Sequence, residues 1–178
     1  ELLLGADRME YLSHCHVLVV GLGGVGAYAA EQICRAGIGH MTIVDADTVN
    51  ESNINRQLPA LHSTVGMQKA EVVGRRLLDI NPRLKLTILN EFLRDERTDE
   101  VLSSQKYDFI VDAIDSLSPK VYLLAYAYKH DIPIVSSMGA GAKLDPSQVK
   151  IADISKSYNC TLARAVRKRL HHLGVNKG

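Results

Sequence analysis

The stretch HVLVVGLGGVGAYAAEQICRAGIGHMTIVDAD at residues 16–47 decides the fold. Its apolar run 17–20 predicts a strand, the turn GLGGVG follows, and the small residues of 27–35 predict a helix. A second apolar run, 41–44, ends at Asp45. A strand, a glycine turn, a helix, a second strand and an acid in this order are typical of a nucleotide-binding βαβ unit.

The glycines of this turn have separate tasks. Gly21 allows a tight turn, Gly23 lets a phosphate approach the backbone, and Gly26 lets helix and strand pack closely. The free N–H groups and the positive dipole end of the helix favour an anion at this point. Asp45 is placed to accept hydrogen bonds from ribose hydroxyls. The alternative is a glycine turn that serves packing alone.

The composition is that of an ordinary globular chain. Of the 178 residues, 46% are apolar and 23% are charged, and the net charge is +1, so a nucleic-acid partner requires a local basic patch. No apolar run approaches the roughly 20 residues that span a bilayer, which argues against a membrane partner. Three widely spaced cysteines without a Cys-x-x-Cys pair support neither a zinc ribbon nor a disulfide framework, and they fit a reducing, cytoplasmic setting.

Strands and helices alternate along the rest of the chain. The predicted helices cover 2–12, 66–80, 99–103, 119–129 and 164–172, and the further predicted strands cover 84–89, 109–111, 133–136 and 149–154. This alternation predicts an α/β fold with a Rossmann-like, doubly wound and mostly parallel sheet that has helices on both faces. We expect one domain over residues 1–178, truncated at both ends.

A polar loop at 47–57 carries more charge than a dinucleotide site requires. Arg56 lies in this loop, and Lys69 lies in the next predicted helix. A triphosphate carries a larger charge, which Arg56 is suited to grip bidentately and Lys69 to offset as a point charge. The alternative is that both are solvated surface charges, as most such residues are.

Two acids follow the predicted strand 109–111. Asp112 and Asp115 therefore lie at the carboxyl edge of the sheet, where ligands gather in open α/β folds. A carboxylate at this edge is suited to coordinate Mg²⁺ held by phosphates. The alternative for Asp115 is the N-cap of the following helix, a role compatible with the first.

The motifs of the chain also occur in a recognisable order. GLGGVG, IVDAD, SNINRQ, VG-x-x-KAE, INP and DAID, spread over nearly the whole chain, together resemble the ThiF-like adenylyltransferases, relatives of the ubiquitin-activating enzymes. The resemblance implies ATP and Mg²⁺ as ligands, with Asp45 on the ribose and both Arg56 and Lys69 on the phosphates. It implies that the catalytic residues are Arg56, Lys69 and Asp115, and that Asp115 holds the metal.

The nucleotide-binding set implied by this resemblance combines the glycine turn with the polar loop. Its members are Gly21, Gly23, Gly24, Gly26, Asp45, Asp47, Asn53, Arg56, Gln57 and Lys69. Enzymes of this family make an acyl-adenylate: a carboxylate attacks the α-phosphorus of ATP and pyrophosphate leaves. Catalysis of that kind rests mostly on positioning and charge stabilisation.

The cysteines separate this chain from part of the family it resembles. Sulfur-carrier activators usually have two Cys-x-x-Cys pairs for zinc, and this sequence has none. Cys34, behind the phosphate loop, is expected to be a packed thiol. Cys160 is only a weak candidate for a nucleophile.

Three further segments resemble one branch of the family. AIDSLSPK at 113–120, SSMGAGAKLDPSQVKIADISK at 136–156 and TLARAVRKRL at 161–170 look like the tRNA threonylcarbamoyladenosine dehydratases, with Thr161 where proline is usual. Those enzymes activate the carboxylate of a threonylcarbamoyl group on a tRNA adenosine, and cyclisation then expels AMP. The resemblance implies tRNA as a partner, a homodimer, and possible sulfur-transfer partner proteins.

A basic patch on the last predicted helix suits such a partner. Its charged members are Arg164, Arg167, Lys168 and Arg169. A local patch of this kind binds a tRNA backbone without a global positive charge. The alternative is an ordinary exposed helix face.

Three other functions stay open at this point. They are activation of the C-terminus of a ubiquitin-like sulfur-carrier protein, an ATP-binding scaffold without chemistry, and an NAD-dependent dehydrogenase. The missing zinc cysteines argue against the first, and the presence of Arg56, Lys69 and Asp115 argues against the second. The charged residues beyond Asp45 argue against the third.

Overall fold

The computed structural model describes residues 3–176, apart from the side chain of Asp95. The helices are α1 (Ala6–His14), α2 (Gly26–Arg35), α3 (Lys69–Ile80), α4 (Asp95–Ser103), α5 (Leu117–Lys129) and α6 (Thr161–His172). The strands are β1 (His16–Val20), β2 (His40–Val44), β3 (Lys85–Leu89), β4 (Phe109–Asp112) and β5 (Ile134–Ser136). Leu2, where the sequence predicts the start of the first helix, lies outside the described residues.

The five strands form one parallel sheet in the order β3-β2-β1-β4-β5. In register, Val17 of β1 lies beside Met41 of β2 and Phe109 of β4. The chain runs outward from β1 in one direction and then returns to β4 on the other side. A crevice therefore opens between the carboxyl ends of β1 and β4, which is where ligands bind in doubly wound sheets.

Alternate residues of β1 pack on opposite faces of the sheet, as the pleat of a strand requires. Val17 and Val19 join a core with residues of α2 and α3. Leu18 and Val20 join a second core with residues of α4 and α5. The predicted Rossmann-like fold with helices on both faces is thereby confirmed. No helix within residues 3–176 is long and apolar enough to cross a membrane.

Several helix starts differ from those the sequence predicts: α1 begins at Ala6 rather than at residue 2, and α6 begins at Thr161 rather than at residue 164. The helix predicted from residue 66 begins at Lys69, because Gly66 adopts a φ of +85° and Gln68 pairs with Thr48 in a short antiparallel bridge. The helix predicted from Pro119 begins two residues earlier, at Leu117, so that Pro119 lies in the first turn, where its missing N–H costs nothing. The helix α4 begins at residue 95 rather than 99.

The strand predicted at 149–154 is wrong. These residues form an exposed connection between the short 3₁₀ turns Pro146–Gln148 and Ile154–Lys156, and Val149 and Ile151 are 79% and 96% exposed. The side chains of Asp145 and Asp153 accept hydrogen bonds from backbone N–H groups two residues ahead. Such local bonds favour turns over a sheet ladder.

Candidate nucleotide-binding site

The glycine turn between β1 and α2 lies directly against the end of β4. Gly21 has a φ of +89°, and a Cβ atom there would lie 2.7 Å from the carbonyl oxygen of Ala113. A Cβ atom on Gly26 would lie 1.7 Å from the carbonyl oxygen of Gly21. No side chain fits at either position, so these two glycines let the turn close.

The start of α2 is left open to an anion. No described side chain caps this helix, and its first turn contains no acidic residue. The unsatisfied N–H groups and the positive dipole end of the helix therefore remain available to a phosphate.

Asp45 is held beside this turn by the backbone. One carboxylate oxygen accepts a hydrogen bond from the N–H of Leu22 (2.6 Å), and the other accepts one from the N–H of Asp47 (2.8 Å). Burial raises the pKa of the Asp45 carboxyl, and these two hydrogen bonds oppose the shift. Each carboxylate oxygen has a second lone pair, which is suited to a ribose hydroxyl.

The polar loop folds back onto the glycine turn. A Cβ atom on Gly23 would lie 3.5 Å from Nε2 of Gln57, and one on Gly24 would lie 3.5 Å from the carbonyl oxygen of Arg56. The buried Oε1 of Gln57 has no hydrogen-bond partner among the described residues. Because an orphaned buried acceptor is costly, it points to a donor supplied by a ligand.

Asn53 forms a hydrogen bond within the polar loop itself. Its Oδ1 accepts a hydrogen bond from the N–H of Asn50 (3.0 Å), while Oδ1 of Asn50 accepts one from the N–H of Ser52 (2.9 Å). These reciprocal bonds fold the 3₁₀ turn Glu51–Asn53 that precedes Arg56. Asn53 thus shapes the loop through its own hydrogen bonds.

Arg56 is exposed beside Gly24. Its guanidinium donates to Oδ1 of Asn55 (2.8 Å) and to the carbonyl of Ser52 (3.2 Å), through one nitrogen in both cases. These contacts orient the side chain and leave other donors of the fork available.

Lys69 is not the solvated surface charge of the alternative interpretation. It is the first residue of α3 and is only 5% exposed, with its Nζ 2.9 Å from Oδ2 of Asp47. The half-exposed Asp47 carboxylate thus fixes the ammonium near Asp45. An ammonium held in this way is preorganised to offset phosphate charge.

Asp115 lies in the turn between β4 and α5, two residues beyond Ala113. The N-cap of α5 is Ser116, so the alternative role of Asp115 as the cap is wrong. Its side chain is exposed and accepts no hydrogen bond from the described residues. Contact of Ala113 with Gly21 and Gly26 places this turn against the glycine loop.

Comparison with known proteins agrees with this geometry. The model of the ThiF family matches residues 2–178. The chain belongs to the ThiF family. It is 42% identical over 178 residues to the tRNA threonylcarbamoyladenosine dehydratase of Bacillus subtilis, covering 100% of this chain and 70% of the relative.

Two further relatives are similar over most of this chain. The crystal structure of the Escherichia coli tRNA N6-threonylcarbamoyladenosine dehydratase in complex with ATP superposes with a TM-score of 0.92, at 40% identity, over 95% of this chain and 69% of that one. The molybdopterin-synthase adenylyltransferase of E. coli is 34% identical over 139 residues, 78% of this chain and 54% of the relative. The chain spans 62% of the curated E. coli dehydratase sequence.

This ThiF-family chain contains a buried ion pair that the sequence did not reveal as one. Nζ of Lys120 lies 2.6 Å from Oδ2 of Asp112, and both side chains are fully buried. The ammonium also donates to Oγ of Ser136 (3.1 Å) and to the carbonyl of Ser137 (3.0 Å). Both charged residues lie in the stretch DAIDSLSPK. Their shared partner Ser136, however, lies in β5 and is known to be adjacent only once the strand order is established.

The structure divides the basic patch of α6 into two kinds of residue. Arg164 and Lys168 are exposed. Arg167 is half-buried and donates to the carbonyl (2.9 Å) and to Oγ of Ser157, and Arg169 donates to Oγ of Ser118 (2.8 Å). Arg167 therefore holds the preceding segment against α6, while Arg164, Lys168 and the likewise exposed Arg169 carry the accessible charge.

The cysteines also have structural surroundings. Cys34 is buried and donates to the carbonyl of Leu77 (3.3 Å), which confirms the packed thiol, and burial raises its pKa. Cys160 is the N-cap of α6, and its Sγ accepts from the N–H of Ala163 (3.4 Å). Burial raises the pKa of the Cys160 thiol, but backbone hydrogen bonds and the charge of Lys143 together outweigh burial, so the net shift is downward.

Proposed function

We propose that this chain is the adenylate-forming part of a tRNA threonylcarbamoyladenosine dehydratase, an enzyme that uses ATP to dehydrate that nucleoside in tRNA. The observation that carries the proposal is the 42% identity over the whole chain to a dehydratase of this name. The ATP-bound structure of a second such enzyme, with its TM-score of 0.92, supports the same conclusion.

The chemistry proceeds in two steps. An oxygen of the threonylcarbamoyl carboxylate attacks the α-phosphorus of ATP, and pyrophosphate leaves. A nucleophile within the same modified nucleoside then attacks the acyl carbon, loses its proton and expels AMP. The oxygen removed from the nucleoside leaves as part of AMP, so the net change is the loss of one water. Because the nucleophile belongs to the substrate, no enzyme thioester is required.

Residues at the carboxyl edge of the sheet fit ATP as the co-substrate. The glycine turn and the open start of α2 suit its phosphates, and Asp45 suits its ribose. Gln57 offers a buried acceptor that has no hydrogen-bond partner among the described residues and is available to a donor of the ligand. Arg56 and the fixed ammonium of Lys69 offset the charge that gathers on the phosphates during attack.

Mg²⁺ is part of the same proposal. Within residues 3–176, no group of three or more histidine, cysteine, aspartate or glutamate side chains is arranged to hold a metal by itself. A site of that kind is not needed for Mg²⁺, because this ion is usually bound by one or two carboxylates together with substrate phosphates. Asp115, exposed beside the glycine loop, is the carboxylate we assign to it. The ion supplies further neutralisation of phosphate charge.

Activation of a sulfur-carrier protein is the second candidate function. It is favoured by the 34% identity to a molybdopterin-synthase adenylyltransferase. The absence of a Cys-x-x-Cys pair from the sequence argues against it. The two candidates share the adenylation step and differ in the carboxylate that is presented.

The remaining features of the proposal concern assembly and partners. The chain acts as one ThiF-like unit within a homodimeric cytoplasmic enzyme, and sulfur-transfer proteins are its candidate partners. The substrate tRNA docks across α6, where Arg164 and Lys168 are exposed. Both side chains are suited to phosphate contacts, which supply affinity independent of sequence.

Replacing both Arg164 and Lys168 by alanine is expected to weaken tRNA binding and to flatten its dependence on salt. Each lost phosphate contact reduces the slope of log affinity against log salt by roughly 0.7 to 0.9. Affinity for ATP should not change, because these residues lie outside the glycine turn and the polar loop. Fluorescence titration of labelled tRNA at several salt concentrations measures the slope.

The matched control for this double variant is Lys106→Ala with Lys129→Ala. These exposed lysines lie at the opposite, amino edge of the sheet, just before β4 and at the end of α5. The control should leave the salt slope unchanged. If the two double variants bind tRNA alike, the α6 patch is an ordinary exposed helix face.

Replacing all three cysteines by serine is expected to leave ATP-dependent dehydration largely in place. Serine at position 34 can still donate to Leu77, and serine at position 160 can still cap α6. Turnover of the triple variant is measured beside its thermal melt. A folded triple variant without any activity would reveal a covalent thiol intermediate.

The proposed function is tested by incubating the enzyme with ATP, Mg²⁺ and tRNA that carries threonylcarbamoyladenosine. Nucleosides are then released from the tRNA and analysed by mass spectrometry. We expect a product lighter by one water, formed only with ATP. Transfer of AMP to a sulfur-carrier C-terminus, with the tRNA unchanged, would favour the second candidate instead.

A further inference from the structure

The ion pair of Asp112 and Lys120 joins the ends of two neighbouring strands. Asp112 is the last residue of β4, and the Lys120 ammonium reaches from α5 to bind it together with Ser136 and the carbonyl of Ser137 at the end of β5. Oγ of Ser136 also donates to the same Asp112 oxygen (2.6 Å). These hydrogen bonds thus join β4, α5 and β5 at one buried point on the carboxyl edge of the sheet.

The other oxygen of Asp112 acts on the turn that carries Asp115. Oδ1 accepts a hydrogen bond from the N–H of Ile114 (3.0 Å), so the side chain closes a local turn over Ala113 and Ile114. Asp115 is the next residue, and its charge acts on Lys120. The position of Asp115 therefore depends on where Asp112 is held.

Burying the two charges of Asp112 and Lys120 costs free energy, and filling space in the core does not require that cost. Burial raises the pKa of the Asp112 carboxyl and lowers that of the Lys120 ammonium, and the mutual attraction of the charges opposes both shifts. Apolar side chains of similar volume often stabilise a protein as well as a buried ion pair does. What the charged pair adds is a fixed geometry, since its hydrogen bonds have defined directions.

We propose that Lys120 is a positioning residue for the metal-binding step: through Asp112 it fixes the β4–α5 turn so that Asp115 meets the Mg²⁺ of bound Mg-ATP. This inference rests on the proposed function for the role of Asp115. Neither Lys120 nor Asp112 touches the reacting atoms. Mutation of a residue that holds a metal ligand in place commonly lowers the metal affinity by about 10- to 100-fold.

The test compares two variants that differ in how much charge they leave buried. Lys120→Met leaves the Asp112 carboxylate without its cation, so it is expected to melt early. Asp112→Asn combined with Lys120→Met removes both charges and retains similar side-chain volumes, so it is expected to fold. Glu31→Gln is the control, because Glu31 is another buried acid, paired with Arg76 between α2 and α3.

Binding of ATP to each protein is measured by calorimetry at increasing Mg²⁺, without tRNA. In the double variant we expect the Mg²⁺ concentration for half-maximal enhancement of ATP binding to rise about tenfold or more. Affinity for ATP in the presence of a chelator should stay within about twofold of wild type, because the glycine turn is intact. Hydrogen exchange at the Ile114 amide should become faster. The Glu31→Gln control should lower the melting temperature and leave both readouts unchanged.

A folded double variant with the wild-type Mg²⁺ dependence and wild-type protection of Ile114 would overturn the inference. So would wild-type ATP binding that ignores Mg²⁺. Failure of the proposed function would give a different result. The wild-type enzyme would then bind Mg-ATP but leave threonylcarbamoyladenosine in tRNA unchanged.

Discussion

The variant Asp115→Asn is expected to lose at least about 100-fold in turnover while its melting temperature stays within about 2 °C of wild type. Turnover falls because the amide has no charge with which to hold Mg²⁺ at the phosphates. Stability is retained because Asp115 is exposed, accepts no hydrogen bond from the described residues and is not the N-cap of α5. Thermal melts and single-turnover assays on the same preparation separate the two effects.

The matched control is Asp131→Asn. Asp131 is also exposed, but it lies beyond α5 at the amino edge of the sheet, and its φ of +53° suits asparagine. This variant should keep both turnover and stability. Equal losses of turnover and stability in Asp115→Asn would show that Asp115 is structural rather than catalytic.

The variant Gly21→Ala is expected to lose roughly 2 to 5 kcal/mol of unfolding free energy and to lose measurable ATP binding. A non-glycine residue at a φ of +89° costs about 1–2 kcal/mol. The added Cβ also meets the Ala113 carbonyl oxygen at 2.7 Å, and forcing the two apart costs a further 1–3 kcal/mol or so. The required shift separates the glycine turn from the β4–α5 turn, which is where ATP and Mg²⁺ meet in our proposal.

The variant Gly66→Ala isolates the conformational part of this loss. Gly66 has a φ of +85°, close to that of Gly21, but a Cβ atom there meets nothing within 4 Å. It should lose only about 1–2 kcal/mol and bind ATP normally. Urea unfolding and ATP titration of the two variants measure the difference. Equal losses for both would mean that the contact with Ala113 does not matter.

The nucleotide-binding unit could be predicted from the sequence because its signals are local. The glycines, the apolar runs around them and Asp45 follow one another within residues 16–47, and the structure keeps them in that arrangement. The order of later strands and helices was enough for the fold class. Helix starts were less certain, since a left-handed glycine such as Gly66 can stop a helix that periodicity alone extends.

The properties that could not be predicted depend on residues far apart in the chain. The burial of Lys69 follows from its pairing with Asp47, and the Asp112–Lys120 pair requires β5 to lie next to β4. The segment 149–154, which was predicted as a strand, has no neighbouring strand with which to pair. The alternation of residues within one segment cannot predict whether a neighbouring strand is present. Arg167 reads as a surface charge until its acceptors at Ser157 are known.

The central claim, attack of the substrate carboxylate on the α-phosphorus of ATP, is tested most directly by labelling that carboxylate with a heavy isotope of oxygen. The labelled tRNA is incubated with the enzyme, ATP and Mg²⁺, and the released nucleotides are analysed by mass spectrometry. We predict that AMP carries one labelled oxygen for each dehydrated nucleoside and that pyrophosphate carries none. Label in inorganic phosphate, with ADP as the nucleotide product, would place the attack on the γ-phosphorus and contradict the account.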